Sequence, residues 1–464
     1  MTAAGAPLPP EGRRLEAEIL AWVREYERAG PAEDPAVAAP AGMAPARTAP
    51  SRKAAALAVD AAQAAAARFD ELARRVFAYQ FVHNPHYRRF CERRGIAPPL
   101  AAGDGSAGAA GDRHAGAAGD GSARRAPAGW LDIPAVPAAA LKDAALATFD
   151  VHRAAAVFET SGTTQGRPGR HHLPHTTLYE AALTAHFRHY VLPDLAEGER
   201  LPVFVLFPDL PRSSLAHMMR TVIARFGAPE SRFFLREAVR EAALDVDGLV
   251  EALERASAAG RPVLLAGAVL GFVFACEALA ARGRRFRLPA GSRIMDTGGF
   301  KGRRREIARD ELRRMYAETF GVPPDLVVNE YGMTELASQF YDARLRRALA
   351  LRGAPAGAAP AAAAEEDGRL RPPPWMRAAA VDPDTLRPLP PGERGLLRVV
   401  DLCNLHTVPF LQLEDVGRVD AHGRVTLEGR AHGAELRGCS LAVEDLLAAG
   451  GAVADLADLE EGRE

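Results

Sequence analysis

The sequence predicts an α/β protein, with a large lobe of mixed sheets and helices followed by a short C-terminal lobe. Three observations predict it. Between residues 203 and 329, short apolar runs alternate with segments of helical periodicity, the signature of a largely parallel sheet. From about residue 393 the pattern turns to short alternating runs with a His422-Gly423 turn, which reads as antiparallel β. Before residue 100, apolar positions fall at helical spacing.

Taken in order, Leu15, Ile19, Leu20, Trp22, Val23 and Tyr26 mark an amphipathic helix over 11–29. A Pro/Ala-rich linker covers 30–52, and 53–92 reads as a further helix ending in Phe77, Tyr79, Phe81, Tyr87 and Phe90. Residues 98–128 form a low-complexity insert whose Ala-Gly-Asp segments nearly repeat. Strands are expected at Val203–Phe207, Pro262–Gly267, Ser292–Asp296 and Asp325–Asn329. Helices are expected at Leu249–Ala258, Gly271–Arg282 and Arg309–Phe320. A second Ala/Pro-rich insert spans 353–374, and a last short helix is expected at Val443–Ala449. This gives a helical N-terminal region over 1–97, the insert at 98–128, a large domain over 129–410 and a short lobe over 411–464.

Length and composition narrow the function classes. A chain of 464 residues has room for two or three domains. Lys plus Arg is 58 and Asp plus Glu 59, a net charge of −1, which argues against a nucleic-acid binder held by a basic field. Only Lys53, Lys142 and Lys301 are lysines; the other 55 basic residues are arginines. Four scattered cysteines (Cys91, Cys276, Cys403, Cys439) argue against a disulfide scaffold or a structural Cys zinc site. The longest apolar stretch, Pro262–Cys276, is 15 residues and contains two glycines, short of the ~20 a membrane span needs. The N-terminus lacks a basic start followed by an apolar run, so a cytoplasmic location is expected.

Three segments carry chemistry. Thr160-Ser161-Gly162-Thr163-Thr164-Gln165-Gly166 alternates hydroxyls with glycine, a composition that lets backbone N–H groups and hydroxyls approach phosphate oxygens; it lacks the Walker A spacing. Asn329-Glu330-Tyr331-Gly332-Met333-Thr334-Glu335 follows a strand and offers an aromatic face, a glycine and a carboxylate able to ligate Mg²⁺. The bland alternative is a strand-to-helix turn capped by Thr334. Leu413-Glu414-Asp415 places an acid on a strand able to accept both hydroxyls of a ribose, with Gly429-Arg430 beyond it; the bland alternative is a hairpin with a charged edge.

The order and spacing of these three motifs resemble the adenylate-forming superfamily. Phe158-Glu-Thr-Ser-Gly-Thr-Thr164, Asp296-Thr-Gly-Gly-Phe-Lys-Gly302 and Glu435-Leu-Arg-Gly-Cys-Ser-Leu441 are most similar to its acyl-protein synthetase family, the long-chain-fatty-acid–luciferin-component ligases. Ile133-Pro-Ala-Val-Pro and Leu141-Lys142 resemble the related phenylacetate-ligase branch. The resemblance implies an adenylate-forming fold and ATP-dependent, Mg²⁺-dependent activation of a fatty acid as acyl-AMP. It implies that Thr160, Ser161, Gly162, Thr163 and Thr164 hold the ATP phosphates. Tyr331 would stack on adenine beside Gly332, Gly298 and Gly299 would line the purine, and Asp415 would bind the ribose. Glu335 would ligate Mg²⁺, Thr334 would sit near the α-phosphate, and Arg430 would open the mobile lobe. It further implies acylation of Cys439 and transfer to a reductase partner.

The sequence departs from the superfamily in two ways. Gln165 is inserted in the first loop, with Arg167 or Arg170 standing for its lysine. The stretch after Gly429-Arg430 lacks the hinge Asp and the C-terminal lysine; the last lysine is Lys301. An acid–CoA ligase of the phenylacetate type would need a C-terminal lobe of about a hundred residues, whereas 34 follow Arg430. That ligase and a catalytically weak adenylate-binding subunit are the alternatives. Cys403 is the fallback nucleophile, and Cys276 reads as helix core.

Overall fold

The computed structural model describes residues 6–31, 52–99, 125–160, 168–236, 243–298, 307–351 and 368–431; for 52–62 only the backbone is described. Helix α1 (Pro10–Ala29) starts with a proline, whose missing N–H costs nothing in a first turn. It buries Leu15, Ile19, Trp22, Val23 and Tyr26, most of the stripe read from the sequence. The expected helix over 53–92 is two helices, α2 (Arg52–His83) and α3 (Pro85–Arg93). Pro85 cannot continue the ladder of α2, and the Asn84 side chain accepts from the Tyr87 N–H at 3.2 Å to cap α3.

Strand β1 (Val136–Pro137) precedes a two-stranded antiparallel ribbon, β2 (Ala156–Glu159) and β3 (Arg170–Leu173), which brackets the hydroxyl-glycine loop. Helix α4 (Thr177–Val191) then leads into the alternating region. This comprises β4 (Val203–Pro208), α5 (Ser214–Phe226), β5 (Arg232–Leu235), α6 (Val246–Ala258), β6 (Leu264–Ala268), α7 (Val269–Ala281), β7 (Arg293–Thr297), α8 (Arg309–Phe320) and β8 (Val327–Tyr331). Short β9 (Phe340–Tyr341) and α9 (Arg344–Ala350) follow. The last described segment is β10 (Met376–Val381), β11 (Arg394–Asp401), β12 (Phe410–Val419) and β13 (Val425–Arg430).

Strands β5-β4-β6-β7-β8-β9 form one sheet, parallel except for β9. Its strands are apolar on both faces, as a sheet covered on both sides must be. Val203, Val205, Leu264, Ala266, Met295 and Val328 face a core shared with α1–α5 and the C-terminal sheet. Phe204, Leu206, Leu265, Ile294 and Val327 face a second core under α6–α8. Alternate residues of each strand thus serve different cores.

The second sheet runs β1-β12-β11-β10, with β13 paired to β12. The domain division expected at 410/411 falls between two residues of β12. That strand also pairs with β1 in parallel and β11 antiparallel, so residues 411–430 are built into the sheet of the large body. The insert expected over 353–374 is described only from residue 368. Its end is tied in rather than looped out: Leu370 bridges Val425 and Arg371 bridges Tyr341, joining the two sheets. The 98–128 insert lies mostly outside the described residues, and the helix expected at Val443–Ala449 wholly outside them.

Helix α7 lies on β4 through glycine. A Cβ at Gly271 would overlap the Leu206 carbonyl oxygen, and Gly267 meets the same carbonyl at a positive φ of 152°. Gly271→Ala is expected to cost about 1–3 kcal/mol by overpacking. Urea denaturation checks this; an unchanged midpoint would contradict the close approach.

Candidate active site

In open parallel sheets, ligands gather at the C-terminal strand ends. At those of β7 and β8 lie Thr297, Gly298, Glu330, Tyr331 and Gly332. Gly298 is exposed, has φ +72° and looks onto open space. The left-handed backbone there favours glycine. Just behind it, Asp296 is buried and accepts from Asn329 Nδ2 at 3.0 Å, Tyr316 Oη at 3.3 Å and Arg309 Nη1 at 3.0 Å.

Beyond Tyr331 the chain does not enter a helix, contrary to the bland alternative with Thr334 as a cap. Residues 332–339 form a turn that doubles back into β9, antiparallel to β8. The turn is pinned from outside at each step. The Thr334 carbonyl lies 2.7 Å from His171 Nδ1 on β3. The Glu335 carbonyl accepts from Asn404 Nδ2 at 2.7 Å. The N–H groups of Ala337 and Ser338 donate to Asp401 Oδ2 at 3.0 and 2.8 Å, and the Ser338 hydroxyl donates to Oδ1 at 2.9 Å.

Only a donor can face a carbonyl, so His171 Nδ1 carries the hydrogen; Nε2 lies 3.0 Å from the Thr407 hydroxyl, whose one hydrogen is also within reach of the Asn404 carbonyl at 3.2 Å. Burial pushes the His171 pKa down to about 4, so the ring is neutral near pH 7. The Thr334 hydroxyl lies 3.4 Å from Ser214 Oγ at the start of α5. Thr334 and Glu335 are half-buried, as a turn facing a cleft would be.

The nucleotide residues expected from distant motifs converge. Tyr331 Oη donates to Asp415 Oδ2 at 2.9 Å, and Arg430 Nε lies 3.6 Å from Asp415 Oδ1. Asp415 and Arg430 are opposite partners in the β12–β13 hairpin, which explains their juxtaposition across 14 residues of sequence. Burial pushes the Asp415 carboxyl up, while Arg430 and the Tyr331 hydroxyl pull it back. Glu330 is buried beside this group with the Thr297 hydroxyl donating to it. Burial pushes it up to about 7 against that hydrogen bond, with Asp296 adding to the rise.

At the base of the hydroxyl-glycine loop, Thr160 and Gly169 exchange bonds: Thr160 N to Gly169 O at 2.9 Å, and Gly169 N to Thr160 Oγ1 at 2.9 Å. Thr160 therefore closes the loop. Ser161, Gly162, Thr163, Thr164, Gly299 and Cys439 lie outside the described residues. Cys403 does not suit the fallback role: it is buried, and burial and the Asp401 charge push its thiol far up. Cys91 and Cys276 are buried with thiols pushed up to about 12, and Cys276 is the helix-core residue expected.

The sequence reading missed His171, Asp401, Asn404 and Ser214. His171 follows the glycine loop closely, which is a usable signal. Asp401 and Asn404 have no local pattern, since their partners lie more than 60 residues away. A Mg²⁺ ion is suited by one or two carboxylates plus nucleotide phosphates. The half-buried Glu335, on a turn whose backbone is held in place, meets that requirement.

Comparison with known proteins agrees with the family resemblance. A family model described as acyl-protein synthetase, LuxE, matches residues 131–352. The long-chain-fatty-acid–luciferin-component ligase of Vibrio harveyi is 24% identical over 219 residues, 46% of this chain and 52% of that protein. The corresponding ligase of Aliivibrio fischeri is 22% identical over 214 residues, 44% of this chain and 51% of that protein. The matched region thus spans about half the length of these curated relatives. Among solved structures, 2-hydroxyisobutyryl-CoA ligase in the postadenylation state with 2-HIB-AMP aligns over 79% of this chain and 68% of its own. The TM-score is 0.52 at 13% identity. The chain resembles the acyl-protein synthetase family, and its fold is that of the adenylate-forming enzymes.

Two outcomes follow from the geometry. Tyr331→Phe removes a hydroxyl bonded to a buried carboxylate and is expected to cost about 1.5–3 kcal/mol in chemical denaturation; no loss would mean the contact is not formed. Glu330 holds its proton more tightly folded than unfolded. Its contribution to stability is therefore full below its ordinary value of 4.5 and lost as pH rises through about 7. The stability of the parent minus that of Glu330→Gln should fall by up to about 3 kcal/mol from pH ~4 to ~8. A flat difference would show that Glu330 titrates as an ordinary surface acid.

Proposed function

We propose that the protein activates a long-chain fatty acid with ATP and carries the acyl group on Cys439 before handing it to a reductase partner. The observation that carries the reading is the convergence of Tyr331, Asp415 and Arg430 beside the Thr334–Glu335 turn at the ends of β7 and β8. That arrangement suits a nucleotide with its ribose toward Asp415 and its phosphates toward the turn and the hydroxyl-glycine loop.

In this reading the carboxylate oxygen of the fatty acid attacks the α-phosphorus of ATP. The bond to the bridging oxygen breaks and pyrophosphate leaves, giving acyl-AMP. Orientation and charge stabilisation supply most of the acceleration. Bound at Glu335, Mg²⁺ would supply charge neutralisation for the departing pyrophosphate. Thr334 orients the α-phosphate, and the neutral His171 holds the turn without adding a charge. The Cys439 thiolate then attacks the acyl carbonyl, AMP leaves, and a thioester forms. The buried, high-pKa thiols of Cys91, Cys276 and Cys403 support Cys439 as acceptor.

The test supplies ATP, Mg²⁺ and radiolabelled tetradecanoate, then measures label on the denatured protein and ATP–pyrophosphate exchange. Parent protein is expected to be labelled. Cys439→Ser is expected to lose label and keep exchange. Acyl-CoA formation without protein label would overturn the self-acylation step, and absence of exchange with any fatty acid would overturn the activation step.

A further inference from the structure

The N-terminal helix carries a carboxylate that the proposed chemistry does not use. Glu16, on the inner face of α1, has a side chain only 12% exposed. It faces two histidines from the body: His175, just after β3, and His406, in the loop between β11 and β12. Glu16 Oε1 lies 3.4 Å from His175 Nε2, and Oε2 lies 3.2 Å from His406 Nε2. The three ligand-type atoms all lie within 4.8 Å of one another.

Hydrogen accounting makes this cluster unusual. The Thr148 hydroxyl donates to the His406 carbonyl, and Tyr79 Oη donates its one hydrogen to Thr148 Oγ1 at 2.9 Å. The Tyr79 oxygen, 3.3 Å from His406 Nδ1, can then only accept, so this pattern assigns the ring hydrogen of His406 to Nδ1. In the neutral ring Nε2 is then a bare lone pair aimed at a carboxylate oxygen. Two electron-rich atoms at that distance require a proton or a metal cation between them. His406 is almost fully buried, so water does not fill that gap.

The spacing suits a metal. Zinc bonds to histidine nitrogen and carboxylate oxygen are about 2.0–2.1 Å, which puts neighbouring ligands of a tetrahedral site about 3.3 Å apart. The Nδ1–H of His406 toward Tyr79 is the outer-shell hydrogen bond that orients metal-bound histidines. Access is from the His175 side, which is 30% exposed.

We propose that Glu16, His175 and His406 bind a divalent cation of the zinc type that fastens α1 to the body of the enzyme. The same two body segments supply His171 and Thr407, which hold the Thr334 turn. The cation would therefore brace that turn from behind rather than take part in acyl transfer.

The test uses the full chain, stripped with chelator and then titrated with Zn²⁺ or Co²⁺. One metal per chain is expected, with the visible absorption of four-coordinate Co²⁺ and a rise in Tm of several degrees on adding Zn²⁺. Glu16→Gln and His175→Asn, each checked for folding by circular dichroism, should lose both the cobalt spectrum and the Zn²⁺-dependent Tm rise. Absence of stoichiometric binding by the parent, or binding undiminished in both variants, would overturn the site. A ¹⁵N spectrum showing His406 protonated at Nε2 in Zn²⁺-saturated protein would also overturn it, in favour of a plain ion pair with Glu16.

Discussion

The site depends on one buried carboxylate. Asp401, at the end of β11, is fully buried and accepts hydrogen bonds from Ala337 N, Ser338 N, Ser338 Oγ and, at 3.1 Å, Cys403 N. Burial pushes it up to about 6, and those donors pull it back toward ionisation. Without this acceptor, three backbone N–H groups would be left in the interior unpaired, each costing about 1–3 kcal/mol. The bonds fix the far limb of the 332–339 turn, so that Tyr331, Thr334 and Glu335 on the near limb face the strand ends. Ser338 also accepts from Trp375 Nε1 at 2.9 Å, and Trp375 meets Tyr26 of α1 edge-on at 5.3 Å. The position of the N-terminal helix and that of the turn are thus linked through one hydrogen bond and one ring contact.

The C-terminal sheet does the complementary work. β12 carries Asp415 near its middle and pairs with β1 near its start, and β11 delivers Asp401. The loop between them presents Asn404 to Glu335 and Thr407 to His171. A hairpin that looks peripheral in sequence is therefore the frame against which the strand ends of the first sheet are aligned.

How much of this was legible varied with the range of the interaction. Strands β4, β6, β7 and β8 and helices α6–α8 were readable because their apolar periodicity is local. The break at Asn84–Pro85 was also written locally, in a cap and a proline, yet the long apolar run concealed it. Motif order pointed to Tyr331 and Asp415 as parts of one nucleotide site, but the hydrogen bond between them, across 84 residues, was not legible in the sequence. Asp401 left no local trace, because it acts mainly on backbone groups far away in sequence, which any sequence supplies. The division expected at 410/411 falls inside β12 for a related reason. A change to β character marks where strands begin, not which sheet they join.

The scarcity of lysine acquires a physical meaning at this site. Arg430 stands against Asp415 and Arg309 against Asp296, and an arginine keeps its charge at every pH the protein meets. His171 is held neutral by burial. Among the described residues, buried acids are pushed toward neutrality: Glu330 and Asp342 by burial to about 7, and Asp401 to about 6. A site built with exposed histidines would respond to pH through its bases. Arg309 and Arg430 keep their charge throughout, so among the described residues a change of pH acts on the carboxylates that hold β7, β8 and the turn after β8 in register.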